Sequence, residues 1–204
     1  PHHPSRTRAV GCGARGCAVC VGPGAGGRAA GTGDPSRAAG ERLGENGEIS
    51  SFFETNNRGV KSVTLNLKSD EGRAILHKLV ATADIFGQNF RPGAAERNGF
   101  GYEELRKINP RLVYASVSGY GPEGPHGDLP GTDAVGQALS GVAEAYAIPG
   151  QSMRTGAVSI ADETCAMLTF GGVLAAVIHA RTTGQGQKLE TSLVGSAVRL
   201  MGWT

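Results

Sequence analysis

"KINPRLVYASVSGYGPEGP", residues 107–125, decides the fold. Asn109 and Pro110 stop a helix-compatible run. "RLVYASVSG" (111–119) then supplies the β-branched and aromatic residues of a strand. Residues 120–131 form a long Gly/Pro loop where an antiparallel hairpin would need a tight turn. The next stretch, "DAVGQALSGVAEAY" (133–146), is helical in pattern. A helix leading into a strand, then a long loop and another helix, is the alternation of a parallel sheet.

The same rhythm extends both ways. "KSVTLNL" (61–67) alternates and reads as a strand, and "SDEGRAILHKLVATA" (69–83) as a helix. Ser69 is placed to cap that helix, Asp70 and Glu71 suit its positive end, and Ile75, Leu76, Leu79 and Val80 form its apolar stripe. "DIFGQNF" (84–90) is a short strand, "RPG" a turn, Ala94 to Arg97 a short helix, and "YEELRKI" another helix. A long helix runs from near Asp162 to about Arg181, ended by Thr183 and Gly184. "QKLETSL" is a last strand before a final helical pattern that runs to "RLMGWT". The expected fold class is α/β: a Rossmann-like, doubly wound, mostly parallel sheet with helices on both faces. Ligands of such sheets bind at the carboxyl ends of strands, which points to "NFRPG" and "GYGPEGPHGDLPG".

The first forty residues differ. They contain no Leu, Ile, Met, Phe, Tyr, Trp, Lys, Glu, Asn or Gln. Residues 1–43 therefore read as an atypical Gly/Ala/Arg/Cys-rich segment, disordered or translated out of frame over about the first thirty residues. Cys12, Cys17 and Cys20 match an iron–sulfur spacing, but the fourth cysteine, Cys165, lies far away in an apolar helix. Gly22, Gly24 and Gly27 match a dinucleotide fingerprint, and so do Gly119, Gly121 and Gly124. Neither match opens an amphipathic helix, and among 33 glycines such spacings arise by chance. No metal or redox cofactor is expected, and a nicotinamide-dependent oxidoreductase is disfavoured on the same ground.

A net charge of +2 in 204 residues argues against nucleic acid and against an anionic membrane surface as partners. The longest apolar run, Ala166 to Ala180, carries His179 and two glycines and is shorter than a membrane span. Four cysteines do not make a disulfide framework, so a reducing, cytoplasmic compartment is expected.

"TGAVSIADETCAMLTF" (155–170) carries the chemical question. Asp162 could cap the helix that follows, stabilising it by about 1 kcal/mol. It could also be a nucleophile, since a carboxylate in a first turn is favoured in its ionised form by the helix dipole. Small neighbours, Gly156, Ala157, Ser159 and Ala161, leave room for a substrate.

Three stretches together carry a resemblance: residues 56–125, "PGTDAVGQALSG" (130–141), and "GAVSIADETCAMLTFGGVLAAVIHARTTGQGQKLETSL" (156–193). Over about residues 44–200 the chain resembles the family III CoA-transferases, the group of formyl-CoA and carnitine CoA-transferases that also includes the α-methylacyl-CoA racemases. The resemblance implies transfer of CoA from an acyl-CoA thioester to a carboxylic acid, and a Rossmann-like large domain. It also implies an interlocked homodimer when full-length. Residues 44–204 then read as a partial large domain, a fragment without the small domain and the C-terminal return.

Asp162 falls where these transferases carry their nucleophile. The implied CoA-binding positions are Asn89, Phe90, Ala94 and Arg97, with Lys61 as the one basic residue where the family usually has two. CoA is here a substrate, carried as its thioester. The racemases resemble "GHD" where this chain has "GTD", and Thr132 has no useful pKa for proton transfer. A racemase-type isomerase and an inactive truncated scaffold are the alternatives.

Overall fold

The structure is a computed structural model that describes residues 9–12, 18–22, 35–57, 62–152, 154–156 and 158–202. In chain order the elements are β1 (Ala9–Cys12), β2 (Ala18–Gly22), a 3-10 turn (Pro35–Ala38), β3 (Arg42–Leu43), β4 (Ile49–Ser50) and α1 (Ser51–Asn56). Then come β5 (Ser62–Thr64), α2 (Asp70–Val80), β6 (Ile85–Gln88), α3 (Ala94–Arg97), α4 (Tyr102–Ile108) and β7 (Val113–Ser118). The chain continues through α5 (Asp133–Ser140), α6 (Val142–Ala145), α7 (Ile160–Thr183), β8 (Lys188–Ser192) and α8 (Leu193–Leu200).

One sheet runs in the order β5-β2-β1-β6-β7-β8. β1, β6, β7 and β8 are parallel neighbours. β2 runs antiparallel to both β1 and β5, which places β5 at an edge. The mixed α/β fold read from the sequence is thus present, with an antiparallel flank that the helix–strand alternation did not announce.

That flank draws two strands from the first segment. β1 and β2 lie inside residues 1–43 and take interior places in the sheet. Ladder hydrogen bonds come from the backbone, so Ala, Val, Gly and Cys suffice to make a strand without any apolar period to reveal it. Gly24, Gly27 and Cys17 lie outside the described residues, as does Lys61.

Two cores sandwich the central strands because strand side chains alternate between faces. On one face Phe86 and Tyr114 pack with Leu76, Val80, Phe100 and Leu105. The Phe86 and Tyr114 ring centroids are 5.2 Å apart, and the buried Tyr114 hydroxyl donates to the Phe100 carbonyl at 3.3 Å. On the other face Val113 packs against Ala176, Val177 and Ala180 of α7. Helices therefore cover both faces.

The local signals for α2 hold at its start. The Ser69 hydroxyl accepts the Gly72 N–H at 3.1 Å. Asn109 closes the other end by donating to the carbonyls of Val80 and Ala83. One stripe member differs: Leu76 and Val80 are buried, whereas Ile75 points outward. The 133–146 stretch is two helices, because Gly141 takes φ 90° between α5 and α6. α7 is longer than the run counted in the sequence. At 24 residues it is, by length and composition, a described helix that could cross a membrane. In the fold it lies along β7, β8, α5 and α8.

Candidate active site

A cleft of about 960 Å³ opens at the carboxyl ends of β6 and β7. Asn89 follows β6, while Ser118 and Gly119 end β7. Gly131, Thr132 and Asp133 enter from the far end of the Gly/Pro loop, and Asp162 from the first turn of α7. This is where a parallel sheet places its ligands.

The loop's two stems touch. A Cβ on Gly119 would lie 2.5 Å from the Gly131 Cα, so only glycine fits at this contact. That contact sets Thr132 and Asp133 beside the cleft. The glycine spacing at 119, 121 and 124 is thus explained by a backbone crossing and by positive φ at Gly121 and Gly124, with no helix following it.

Asp162 is not the cap of α7. The cap position is Ser159, which makes no side-chain cap bond, and Asp162 stands three residues further in. The capping carboxylate comes from another helix. Asp133 Oδ1 accepts the N–H groups of Ala161 at 2.8 Å and Asp162 at 3.1 Å. Asp133 stands at the head of α5, yet the helix start it bonds is that of α7.

Asp133 is held in turn by Gln137, one turn along α5. Gln137 is wholly buried, and its Nε2 donates to Asp133 Oδ2 at 2.6 Å and to the Val158 carbonyl at 3.1 Å. Its Oε1 accepts the Gly156 N–H at 2.7 Å. Each of these contacts brings an N–H donor to the Asp133 carboxyl.

With its helix capped from outside, the Asp162 carboxylate is left without a hydrogen-bond or ion-pair partner among the described residues. It stands at the cleft edge, open to solvent on one side and against the wall on the other. Partial burial pushes its pKa up, and the charges of Asp133 and then Glu163 push it further. The helix dipole acts in the opposite sense, favouring the ionised form. The outcome is a more basic carboxylate with free lone pairs, which favours nucleophilic attack once ionised.

Below Asp162 the cleft floor carries Cys165 and Thr169 of α7. The Thr169 hydroxyl lies 2.7 Å from that of Thr191 on β8. Ile85, Val117, Phe170 and Val173 make the rest of the wall mostly apolar.

Asn89 shares the cleft with Asp162. Phe90 does not. Its ring packs on Phe100 at 5.4 Å between centroids, and it lines a smaller hollow of about 80 Å³ with Arg91, Gly93 and Glu96. Ser118, at the end of β7, borders both spaces. Ala94 starts α3 beside the hollow, and the exposed Arg97 folds back over Gly93, where a Cβ would meet its Nη1 at 2.7 Å. The "NFRPGAAER" positions thus start at the cleft with Asn89 and continue as the rim of the smaller hollow through Phe90, Arg91, Gly93 and Glu96. Thr132 occupies the cleft, whereas His126 is exposed in the loop beside the Tyr120 ring and does not line it. No cluster of metal-ligating side chains occurs among the described residues.

Asp133 as a remote cap and Gln137 as its clamp were not found in the sequence. Their own spacing, four apart on one helix, was the available signal. The partner N–H groups lie 28 and 29 residues downstream, beyond any local pattern.

Comparison with known proteins identifies the family. Residues 29–204 match the profile of CoA-transferase family III. The chain is 42% identical over 164 residues to the acetyl-CoA:oxalate CoA-transferase of Acetobacter aceti, covering 80% of this chain and 41% of that protein. It is 35% identical to the succinate–glutarate CoA-transferase of Agrobacterium fabrum, covering 79% of this chain and 42% of that one. A CAIB/BAIF family protein from Brucella suis superimposes with a TM-score of 0.78 at 30% identity, covering 84% of this chain and 46% of that one. The chain thus spans about two fifths of the length of these curated relatives.

Proposed function

This chain belongs to CoA-transferase family III, and on that premise we propose that it carries the nucleophile and part of the CoA site of an enzyme moving CoA from an acyl-CoA to a carboxylic acid. The observation that carries the reading is the unpartnered Asp162 carboxylate, in a large cleft at the sheet's carboxyl end, on a first turn capped by another residue.

The chemistry follows from that carboxylate. Asp162 attacks the carbonyl carbon of the donor thioester, the C–S bond breaks, and CoA leaves as its thiolate. The thiolate attacks the aspartyl carbonyl of the mixed anhydride and expels the donor carboxylate, leaving an aspartyl-CoA thioester. The acceptor carboxylate attacks that thioester, releasing CoA and forming a second anhydride. CoA attacks the acceptor's carbonyl, and Asp162 is restored as a carboxylate. Dividing one exchange into acyl transfers of matched reactivity is the gain of covalent catalysis.

Asn89 and the rim through Phe90, Ala94 and Arg97 receive CoA, with Lys61 as a further cation. The exposed Arg97 guanidinium at the end of this rim suits a phosphate of CoA. The position of Thr132 in the cleft, with His126 outside it, supports transfer over α-proton exchange.

Met167, Phe170, Leu174 and Ile178 form an exposed apolar face on α7. That face supports the reading that a further part of the fold, or the second chain of an interlocked dimer, covers it in the working enzyme.

The test is CoA transfer from a short acyl-CoA to a panel of carboxylic acids, with Asp162→Asn as control. Transfer by the wild type and loss of three or more orders of magnitude in the variant are expected. Equal transfer by both would overturn the reading.

A further inference from the structure

We propose that Gln137 is a positioning residue for the nucleophile: it clamps Asp133, Gly156 and Val158 together and so fixes where the first turn of α7 holds Asp162. The proposal rests on the reading of Asp162 as nucleophile.

The amide orientation is set by its three partners. Oε1 faces a backbone donor, Gly156 N–H. Nε2 faces two acceptors, Asp133 Oδ2 and the Val158 carbonyl. Turning the amide over would set like against like at all three contacts. Gln137 therefore joins both approaches to α7. Through Asp133 it reaches the N–H groups of Ala161 and Asp162. Through Val158 it reaches the strand of backbone whose carbonyl accepts the Ile160 N–H at 2.8 Å. Both chains of contact end at the turn that carries Asp162.

Small buried residues pack beside the clamp. Gly136, beside Gln137, abuts Ala161, and Val142, Ala161 and Ala197 are buried together next to it. The ionisable groups around the clamp are Asp133 from α5, and Asp162 and Glu163 from α7. α8 presents Leu193 and Ala197 there, and Arg154 of the loop is exposed. A carboxylic side chain at 137 would thus meet only anions and carbonyl oxygens at its outer oxygen.

Gln137→Glu tests this in the full chain. It keeps the acceptor for Gly156 N–H but loses the donor to Asp133 and Val158 unless the new carboxyl is protonated. The readouts are the single-turnover rate of acyl transfer from a short acyl-CoA onto Asp162, the acyl-CoA affinity, and the melting temperature. The expected result is about 100-fold slower transfer at neutral pH, the order of loss that a 1 Å misplacement produces. Affinity stays within twofold, and the deficit relative to the wild type at the same pH narrows on mild acidification, when the introduced carboxyl can donate again. A folded variant with the wild-type rate, or a loss confined to affinity, would overturn the proposal. If Gln137→Glu does not fold at neutral pH, Gln137→Asn replaces it. That side chain is one methylene shorter and cannot span Asp133 and Gly156 together, and the same two outcomes apply. A wild-type protein that forms no adduct at Asp162 would instead refute the nucleophile reading itself, so the two failures are distinct.

Discussion

Gly136 on α5 and Ala161 on α7 meet so closely that a Cβ on Gly136 would lie 2.8 Å from the Cβ of Ala161. Ala161 is wholly buried. This contact of two small residues lets α5 approach the first turn of α7, and Asp133 can then reach the backbone there. The spacing of the site is thus set by what is missing from two side chains.

Gly136→Val is expected to push the helices apart. Overpacking of this kind costs about 1–3 kcal/mol. The melting temperature should fall by several degrees, and acyl transfer should fall more than stability alone explains, because the Asp133 cap is stretched. Thermal melting and single-turnover kinetics on the same preparation check both.

The raised pKa of Asp162 should show in stability. Its pKa is raised in the folded protein by burial, by Asp133 and by Glu163. A raised carboxylate pKa means that the folded state binds the proton more tightly than the unfolded chain. The favourable contribution is complete below the unfolded carboxylate pKa and is lost as pH rises through the folded one. Asp162→Asn cannot ionise and should melt higher than the wild type at neutral pH. The gap should close on acidification below the ordinary carboxylate range. Melting curves across pH measure it, and a variant that melts lower at neutral pH would contradict the sign.

The same electrostatics should set the acid limb of activity. Attack needs the ionised form, so the rate falls as pH drops through the Asp162 pKa. Asp133→Asn removes one neighbouring anion and should move that limb to lower pH, whatever it does to the maximum rate. A pH–rate profile decides it, and an unmoved limb would show that Asp133 does not act on Asp162 through its charge.

The helix caps read from the sequence offer a check away from the site. Ser69→Ala removes the acceptor of the Gly72 N–H and should cost about 1 kcal/mol. Acyl transfer should be unchanged, since α2 lies on the opposite face of the sheet from α7.

Local chemistry explains which parts were legible. Ser69 caps α2 because its acceptor lies three residues on, within any reader's window. The strand at Val113–Ser118 declared itself by β-branched and aromatic residues, and Gly184 ended α7 as its φ of 77° requires. β1 and β2 were hidden because small residues carry no period. The role of Asp162 as the helix's cap was a fair local inference that a tertiary contact overturned. Asp133 takes that role from another helix, and no pattern within a few residues of Asp162 could show it. Asn89 and Asp162 share a cleft because the sheet brings the ends of distant segments together, which the resemblance implied and local patterns alone did not. Gln137 was invisible as function because a polar residue in a helix reads as a solvent-facing one until its burial is known.

The most direct measurement is peptide mass mapping after incubation with a short acyl-CoA, with hydroxylamine added to trap activated carboxyl groups. A hydroxamate confined to the peptide that carries Asp162, dependent on acyl-CoA and absent from Asp162→Asn, is the expected result. Acyl transfer that proceeds with no modification at Asp162, or with the hydroxamate on another residue, would contradict the assignment of Asp162 as the nucleophile.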